Sequence, residues 1–235
     1  MSDPLFSFKD VVKPYGGDAP LRIAALEVVE GDRVVLAGLD ALAAEMFMHV
    51  LTGAALPESG RVVVFGRATH DIETDTQWLS ALDRFGLVSN RAVLLDQSTI
   101  AQNLALPLTL SIDPMADDIR ATVTSLAREV GLAETRLEDA AATLTPLERA
   151  RVHLARALAQ SPAVLLLEHP TATMPESGAA FGAALRRVAD ARRLTWLAIS
   201  DDVAFQRESG GDVRLVDAAN GRVGSSSGFW RRWFS

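Results

Sequence analysis

Cysteine is absent from this 235-residue chain, so no disulfide holds it together. The chain is long enough to bury a substantial core without one. That absence does not fix a compartment, because exported proteins can lack thiols too. No run of about 18 apolar residues is present to span a bilayer. Residues 1–10 carry one lysine and two aspartates and have no secretory signal pattern. Basic charge is also scarce: 23 Lys and Arg against 30 Asp and Glu leave a net charge of −7 and a pI near 5.1. That is the wrong sign for a general nucleic-acid binder, whose footprint is a basic face. His49, His70 and His153 stand at no metal-ligand spacing and read as ordinary helix or surface residues.

The most telling absence lies between Gly31 and Gly60. A phosphate-binding loop reads G-x-x-x-x-G-K-[ST], with glycines that let backbone N–H groups cradle phosphates, a lysine on the outer phosphates and a hydroxyl on magnesium. Here the register is Gly38-Leu39-Asp40-Ala41-Leu42-Ala43-Ala44-Glu45-Met46. The first glycine stands; Ala43 and Ala44 hold the second glycine and lysine positions, Glu45 the hydroxyl position, and Met46 the place after it. Losing the ammonium and adding a carboxylate are each worth about 4 kcal/mol against phosphate at an effective dielectric near 20. A micromolar affinity is only about 8 kcal/mol. Alanine is also the best helix former, so residues 41–46 are ready to wind into helix with Asp40 as N-cap. The opposing reading has Glu45 hold magnesium directly, since carboxylates suit hard cations.

What is present is an α/β alternation. Strands are predicted near residues 5–8, 21–28, 33–37, 61–65, 163–167, 195–199 and 213–216. The first two and the strand at 61–65 read as a separate β-subdomain. The runs at 163–167 and 195–199 are nearly continuous in apolar residues, as a parallel sheet covered on both faces requires. Helices are predicted at residues 46–52, 77–82, 99–106, 116–130, 146–160 and 176–191. Thr145 and Pro146 make an N-cap followed by an N1 proline, and Gly131 follows the 116–130 helix as a left-handed stop. Residues 1–224 read as one domain with a helical lobe inserted at about 97–142, and 225–235 as a tail. In that tail Phe229-Trp230-Arg231-Arg232-Trp233-Phe234 follows a flexible Gly and Ser run, and suits a membrane interface, a partner groove or a return onto its own domain.

Taken in order, these pieces resemble the ATP-binding cassette (ABC) family of transporter ATPase subunits over nearly the full chain. Tyr15 stands where that family stacks an aromatic on adenine. The residues from Gly31 to Gly38 are similar to its strand into the phosphate loop, the Walker A motif. The stretches at 51–53 and 57–62 match the family's sequence after that loop, and those at 151–158 and 163–171 match the helix and Walker B strand. The resemblance implies an ABC-ATPase-like α/β core with a P-loop-type parallel sheet, an antiparallel β-subdomain and a helical subdomain. Position by position the chemistry departs. Asn90 replaces the Q-loop glutamine. Thr145-Pro146-Leu147-Glu148 stands for the signature S-G-G-Q, removing both glycines and one N–H donor. Glu168 takes the Walker B aspartate position, His169 the general base, and Asp201 the switch histidine.

Glu168, His169 and Asp201 are expected to converge at the ends of adjacent strands. They would serve either as a metal or acid–base site or as a hydrogen-bonded cluster filling an emptied pocket. With every catalytic station altered, the resemblance implies a degenerate pseudo-ATPase: a catalytically inactive structural or regulatory subunit of a membrane transport complex, with no cofactor. The segment Thr99-Ile100-Ala101-Gln102-Asn103-Leu104-Ala105-Leu106-Pro107-Leu108 resembles members that serve lipid and lipoprotein transport. Alternatives are an ATP-binding or ATP-hydrolysing transporter subunit using ATP and magnesium at atypical motifs, and a soluble scaffold without a permease. The family's partners would be a permease, met through the helical lobe and Q-loop, and a second ATPase subunit in a homodimer or heterodimer. Its place would be peripheral on the cytoplasmic face of a membrane.

Overall fold

The computed structural model describes residues 3–16, 19–89 and 91–225. The chain begins with β1 (Phe6–Lys13), β2 (Leu21–Val28), β3 (Arg33–Ala37), α1 (Ala41–Leu51), β4 (Ser59–Val64) and β5 (Arg67–Ala68). It continues through α2 (Asp75–Leu82), β6 (Phe85–Ser89), α3 (Ile100–Ala105), α4 (Asp117–Val130) and α5 (Pro146–Leu158). It closes with β7 (Val164–Glu168), α6 (Gly178–Arg192), β8 (Thr195–Ile199), α7 (Val203–Ser209), β9 (Asp212–Val216) and β10 (Val223–Ser225).

An antiparallel sheet of order β2-β1-β4-β5 lies beside a larger sheet of order β10-β9-β3-β8-β7-β6. In the larger sheet only β10 runs antiparallel to its neighbour. Successive side chains of a strand point to opposite faces, and the three central strands sort their residues accordingly. Val35 of β3, Leu165 and Leu167 of β7, and Trp196 and Ala198 of β8 enter a core under α3, α4, α5 and α6. Val34, Leu36, Val164, Leu166, Leu197 and Ile199 enter a second core shared with α1 and the antiparallel sheet. Both faces are thus covered, which is why these strands are apolar at nearly every position. The parallel register pairs Ser89 with Glu168 and Glu168 with Ile199. The carboxyl ends of β6, β7 and β8 therefore meet at one edge, where open α/β sheets place ligands.

Several elements differ from the sequence expectations. Strand β1 extends to Lys13 instead of stopping at Phe8, because it pairs with both β2 and β4. Strand β6 falls where no strand is predicted from the sequence; its Phe85, Gly86 and Val88 are buried. A Cβ on Gly86 would sit 2.6 Å from the Ala157 carbonyl oxygen, so glycine is what lets α5 lie close over this strand. Helix α1 begins at Ala41, so residues 41–46 wind as expected behind the Asp40 cap and extend the helix predicted at 46–52 toward its N-terminus. Helix α7 has no counterpart in the sequence reading; Asp202 starts it by accepting from the Ala204 and Phe205 N–H groups. Gly224 and Ser225, read as flexible, belong to β10. The aromatic stretch 229–234 lies outside the described residues. Among the described residues, no helix is long and apolar enough to cross a membrane.

Candidate functional site

The loop after β3 turns at Gly38, whose φ of 89° lies in the left-handed region. A Cβ there would stand 2.8 Å from the Val216 carbonyl oxygen, so glycine is required on both counts. Its N–H donates to the Asp201 carboxylate at 2.8 Å. Two residues on, the Asp40 carboxylate accepts the Ala43 N–H at 2.8 Å and the helix starts at once. Ala43 and Ala44 face inward, 6% and 0% exposed, against the core that also holds Phe47 and Leu51. Their size explains the early start. Glycine would cost about 1 kcal/mol in a helix, and a lysine at position 44 would carry an ammonium into an apolar interior. The turn that winds here takes the chain segment that the loop pattern would leave open around phosphates. Met46 and Tyr15 are half-buried and pack on the same core.

Below this turn three charged side chains from distant elements meet. Glu168, at the end of β7 and 11% exposed, accepts the Ser89 hydroxyl at 3.1 Å. Both its oxygens accept from Nη2 of Arg91 at 2.6 Å. The other terminal nitrogen, Nη1, lies 2.5 Å from the Glu45 carboxylate. Glu45 also has His49 at 3.9 Å, one helical turn on. Burial works against the Arg91 charge, but hydrogen bonds and attraction from Glu168 and Glu45 outweigh it and raise its pKa. Arg91, Glu45, His49, Ser89 and Glu168 line a cleft of about 330 Å³ between α1 and β6. The sequence reading missed Arg91 and gave Ser89 no role. Its one available signal was that Glu168, closing an apolar strand, needs a partner when buried.

The remaining candidates separate. His169 follows Glu168 at φ 39°, with its N–H on the Ile199 carbonyl at 2.9 Å. Asp201, exposed after β8, binds the Gly38 loop. Glu168 instead turns toward Arg91, so the three residues expected to converge serve different partners. Among the described residues no group of three or more His, Asp or Glu is placed to hold a metal ion. Asn90 lies outside the described residues.

At the start of α5, Thr145 and Glu148 cap each other. The Thr145 hydroxyl accepts the Glu148 N–H at 3.3 Å, and the Glu148 carboxylate accepts the Thr145 N–H at 2.9 Å and its hydroxyl at 2.7 Å. Arg136 adds a contact at 2.8 Å. Burial would raise the Glu148 pKa, but the Thr145 bonds and Arg136 bring it below the ordinary value. Glu148, at the position of the signature glutamine, therefore serves its own helix start. Pro146 occupies N1, exposed, and Leu147 packs against the lobe core. Deeper in α5, His153 is buried at 6% exposure, and burial, then Arg156 and Arg149, push its imidazole down to about 4.

A P-loop-type parallel sheet with a helical lobe on one face and a small antiparallel sheet on the other defines the nucleotide-binding fold of ATP-binding cassettes. The structure superposes on cbiO1 from Clostridium perfringens, part of the ABC transporter complex cbiONQ, with a TM-score of 0.77 at 18% identity, covering 99% of this chain and 92% of that one. A bacterial Atm1-family ABC exporter with ATP bound gives a TM-score of 0.72 at 21% identity, over 99% of this chain and 40% of that one. The family profile described as ABC transporter matches residues 21–172, and the chain belongs to that family. The methionine import ATP-binding protein MetN of Brucella abortus is 29% identical over 231 residues, 98% of this chain and 61% of that protein. MetN 2 of Burkholderia mallei is 32% identical over 221 residues, 93% of this chain and 54% of that protein. The chain thus spans little more than half the length of these relatives. They overturn the expectation of a catalytically inactive structural or regulatory subunit, and with it the lipid or lipoprotein assignment: the proteins it resembles are named as ATP-binding proteins of methionine import.

Proposed function

We propose that this chain is an ATP-binding subunit of an ABC transporter that engages nucleotide through atypical residues. The observation that carries this reading is the junction of β3, Gly38 and α1. A parallel strand ends at the sheet edge and hands over directly to a helix whose first residues, Ala41 and Leu42, are exposed. The N–H groups of a helix start and its dipole attract phosphate. Tyr15, at the family's adenine-stacking position, supplies the second anchor. Opposing these are the carboxylates of Asp40 and Asp201, the latter held on the Gly38 N–H. ATP engagement on this reading releases Asp201 from Gly38, and the affinity is accordingly modest. Magnesium does not fit the residues present, because Glu45 and Glu168, at the two positions that would hold it, are both bound to Arg91.

A permease is the partner we assign, and the apolar side chains left in solvent along β6 and the lobe support it. Leu87 is 47%, Val93 77%, Leu95 46% and Leu110 91% exposed. A partner surface laid over this face would cover these exposed apolar side chains. Pairing with a second ATPase subunit, as homodimer or heterodimer, and attachment to the inner face of a membrane complete the proposal. Methionine, which names the relatives, is the first cargo to test.

Calorimetric titration of ATP tests the reading. Saturable binding near millimolar, about 4 kcal/mol, is expected, with a several-fold gain for Asp201→Asn. Silence at several millimolar ATP would sink the proposal, and phosphate release measured on the same sample reports turnover.

A further inference from the structure

Glu45 stands at the position of the hydroxyl that binds magnesium, and Glu168 at that of the Walker B carboxylate. These are the two protein groups between which the metal would sit. In this chain the two carboxylates close on one guanidinium instead: Nη1 of Arg91 reaches Glu45 at 2.5 Å, and Nη2 reaches both oxygens of Glu168 at 2.6 Å. The Ser89 hydroxyl donates to Glu168 from the adjacent strand, so the arrangement is anchored in the sheet. We propose that Arg91 holds the place of the divalent cation, so that this chain engages nucleotide without magnesium.

Charge and geometry both lead there. Two carboxylates facing one cleft repel unless a cation lies between them. The planar fork of arginine bridges carboxylates through fixed N–H directions, and it stays charged across the physiological range. A metal entering the same space has to displace a guanidinium that is tethered to the chain and therefore present at high effective concentration. Two of the three charged groups come from the family's own metal-binding positions; the third is supplied 46 residues after Glu45 and 77 before Glu168. The nucleotide half of the inference rests on the ATP-binding reading above, whereas the cation half does not.

Manganese, read by electron paramagnetic resonance without nucleotide, tests the cation half on the purified full chain. The unaltered protein is expected to take up none at millimolar concentration. Arg91→Ala, which frees both carboxylates, is expected to bind at least about tenfold more tightly, and Arg91→Ala with Glu45→Gln to lose that gain. Arg91→Lys, keeping a tethered cation without the planar fork, should bind manganese more weakly than Arg91→Ala. Manganese bound by the unaltered protein as tightly as by Arg91→Ala would overturn the assignment, and so would an Arg91→Ala variant that folds, by circular dichroism, and gains nothing. For the nucleotide half, ATP affinity in EDTA should equal that in magnesium; a tenfold gain with magnesium would overturn it. If ATP binds under neither condition, the proposed function and the nucleotide half fail together, while manganese still decides what Arg91 replaces.

Discussion

The starts of α1 and α5 both stand at stations where the family meets nucleotide phosphates, yet they are built in contrasting ways. Helix α1 has a single side-chain cap, Asp40, and no acidic residue in its first turn; its third and fourth residues, Ala43 and Ala44, are buried. Helix α5 has a reciprocal cap between Thr145 and Glu148, a proline at N1 and an external partner in Arg136. The first is set by side-chain size against a core, the second by polar partners at the surface. Each should therefore break under a different kind of change.

Size is the sharper lever. Ala44→Lys places an ammonium where the native side chain is 0% exposed, and is expected to cost about 3 kcal/mol or to unwind the first turn. Urea denaturation reads the loss, and circular dichroism tells unwinding from global destabilisation. An unchanged midpoint would mean that the helix start is not held by packing. The corresponding change in α5 is polar. Thr145→Ala removes the hydroxyl that caps the helix and also binds Glu148, and about 1–2 kcal/mol should be lost. Asp40→Ala, removing a cap with one partner, should cost about 1 kcal/mol. If Asp40→Ala costs more than Thr145→Ala, polar capping rather than packing dominates at α1 and the contrast fails.

Acid sharpens the comparison further, because Glu148 and His153 of α5 both have depressed pKa values and both titrate on the acid side of neutrality. For His153, lowered from 6.5 to about 4, the unfolded chain binds more protons between those values. Stability is therefore full above pH 6.5 and falls as pH drops toward about 4. Glu148 adds loss below its ordinary 4.5, where the unfolded carboxyl takes a proton before the folded one does. Urea midpoints compared between neutral and mildly acid pH should fall, and His153→Gln should flatten the part of the slope above about pH 4. A parallel slope in that variant would place the titration elsewhere.

Much of the scaffold was open to reading along the chain because its causes are local. The bounds of β3 and β8 follow from runs of apolar residues that end at turn residues, those of β2 from apolar residues set among polar ones, and the start of α5 follows from Thr145-Pro146. The stop of α4 follows from Gly131, which takes a φ of 80°. Even the readiness of residues 41–46 to wind was visible as alanine content. Strand β6 was not, since a short stretch with Gly86 in its middle becomes a strand only when β7 offers a ladder and α5 a cover.

The site divides along the same line. By itself the sequence determined which chemical groups stand at each station of the phosphate loop, the signature and the Walker B strand, because identity and spacing are properties of the chain. Only the tertiary structure decided what those groups do: Asp201 on the Gly38 N–H, Glu148 on its own helix cap, and Glu45 and Glu168 on one arginine. The reason is physical. Capping and helix propensity act over a few residues, whereas a buried carboxylate is satisfied by whichever donor the fold brings within about 3 Å, and Arg91 comes within reach of Glu168 only after the β6–β7 ladder has formed.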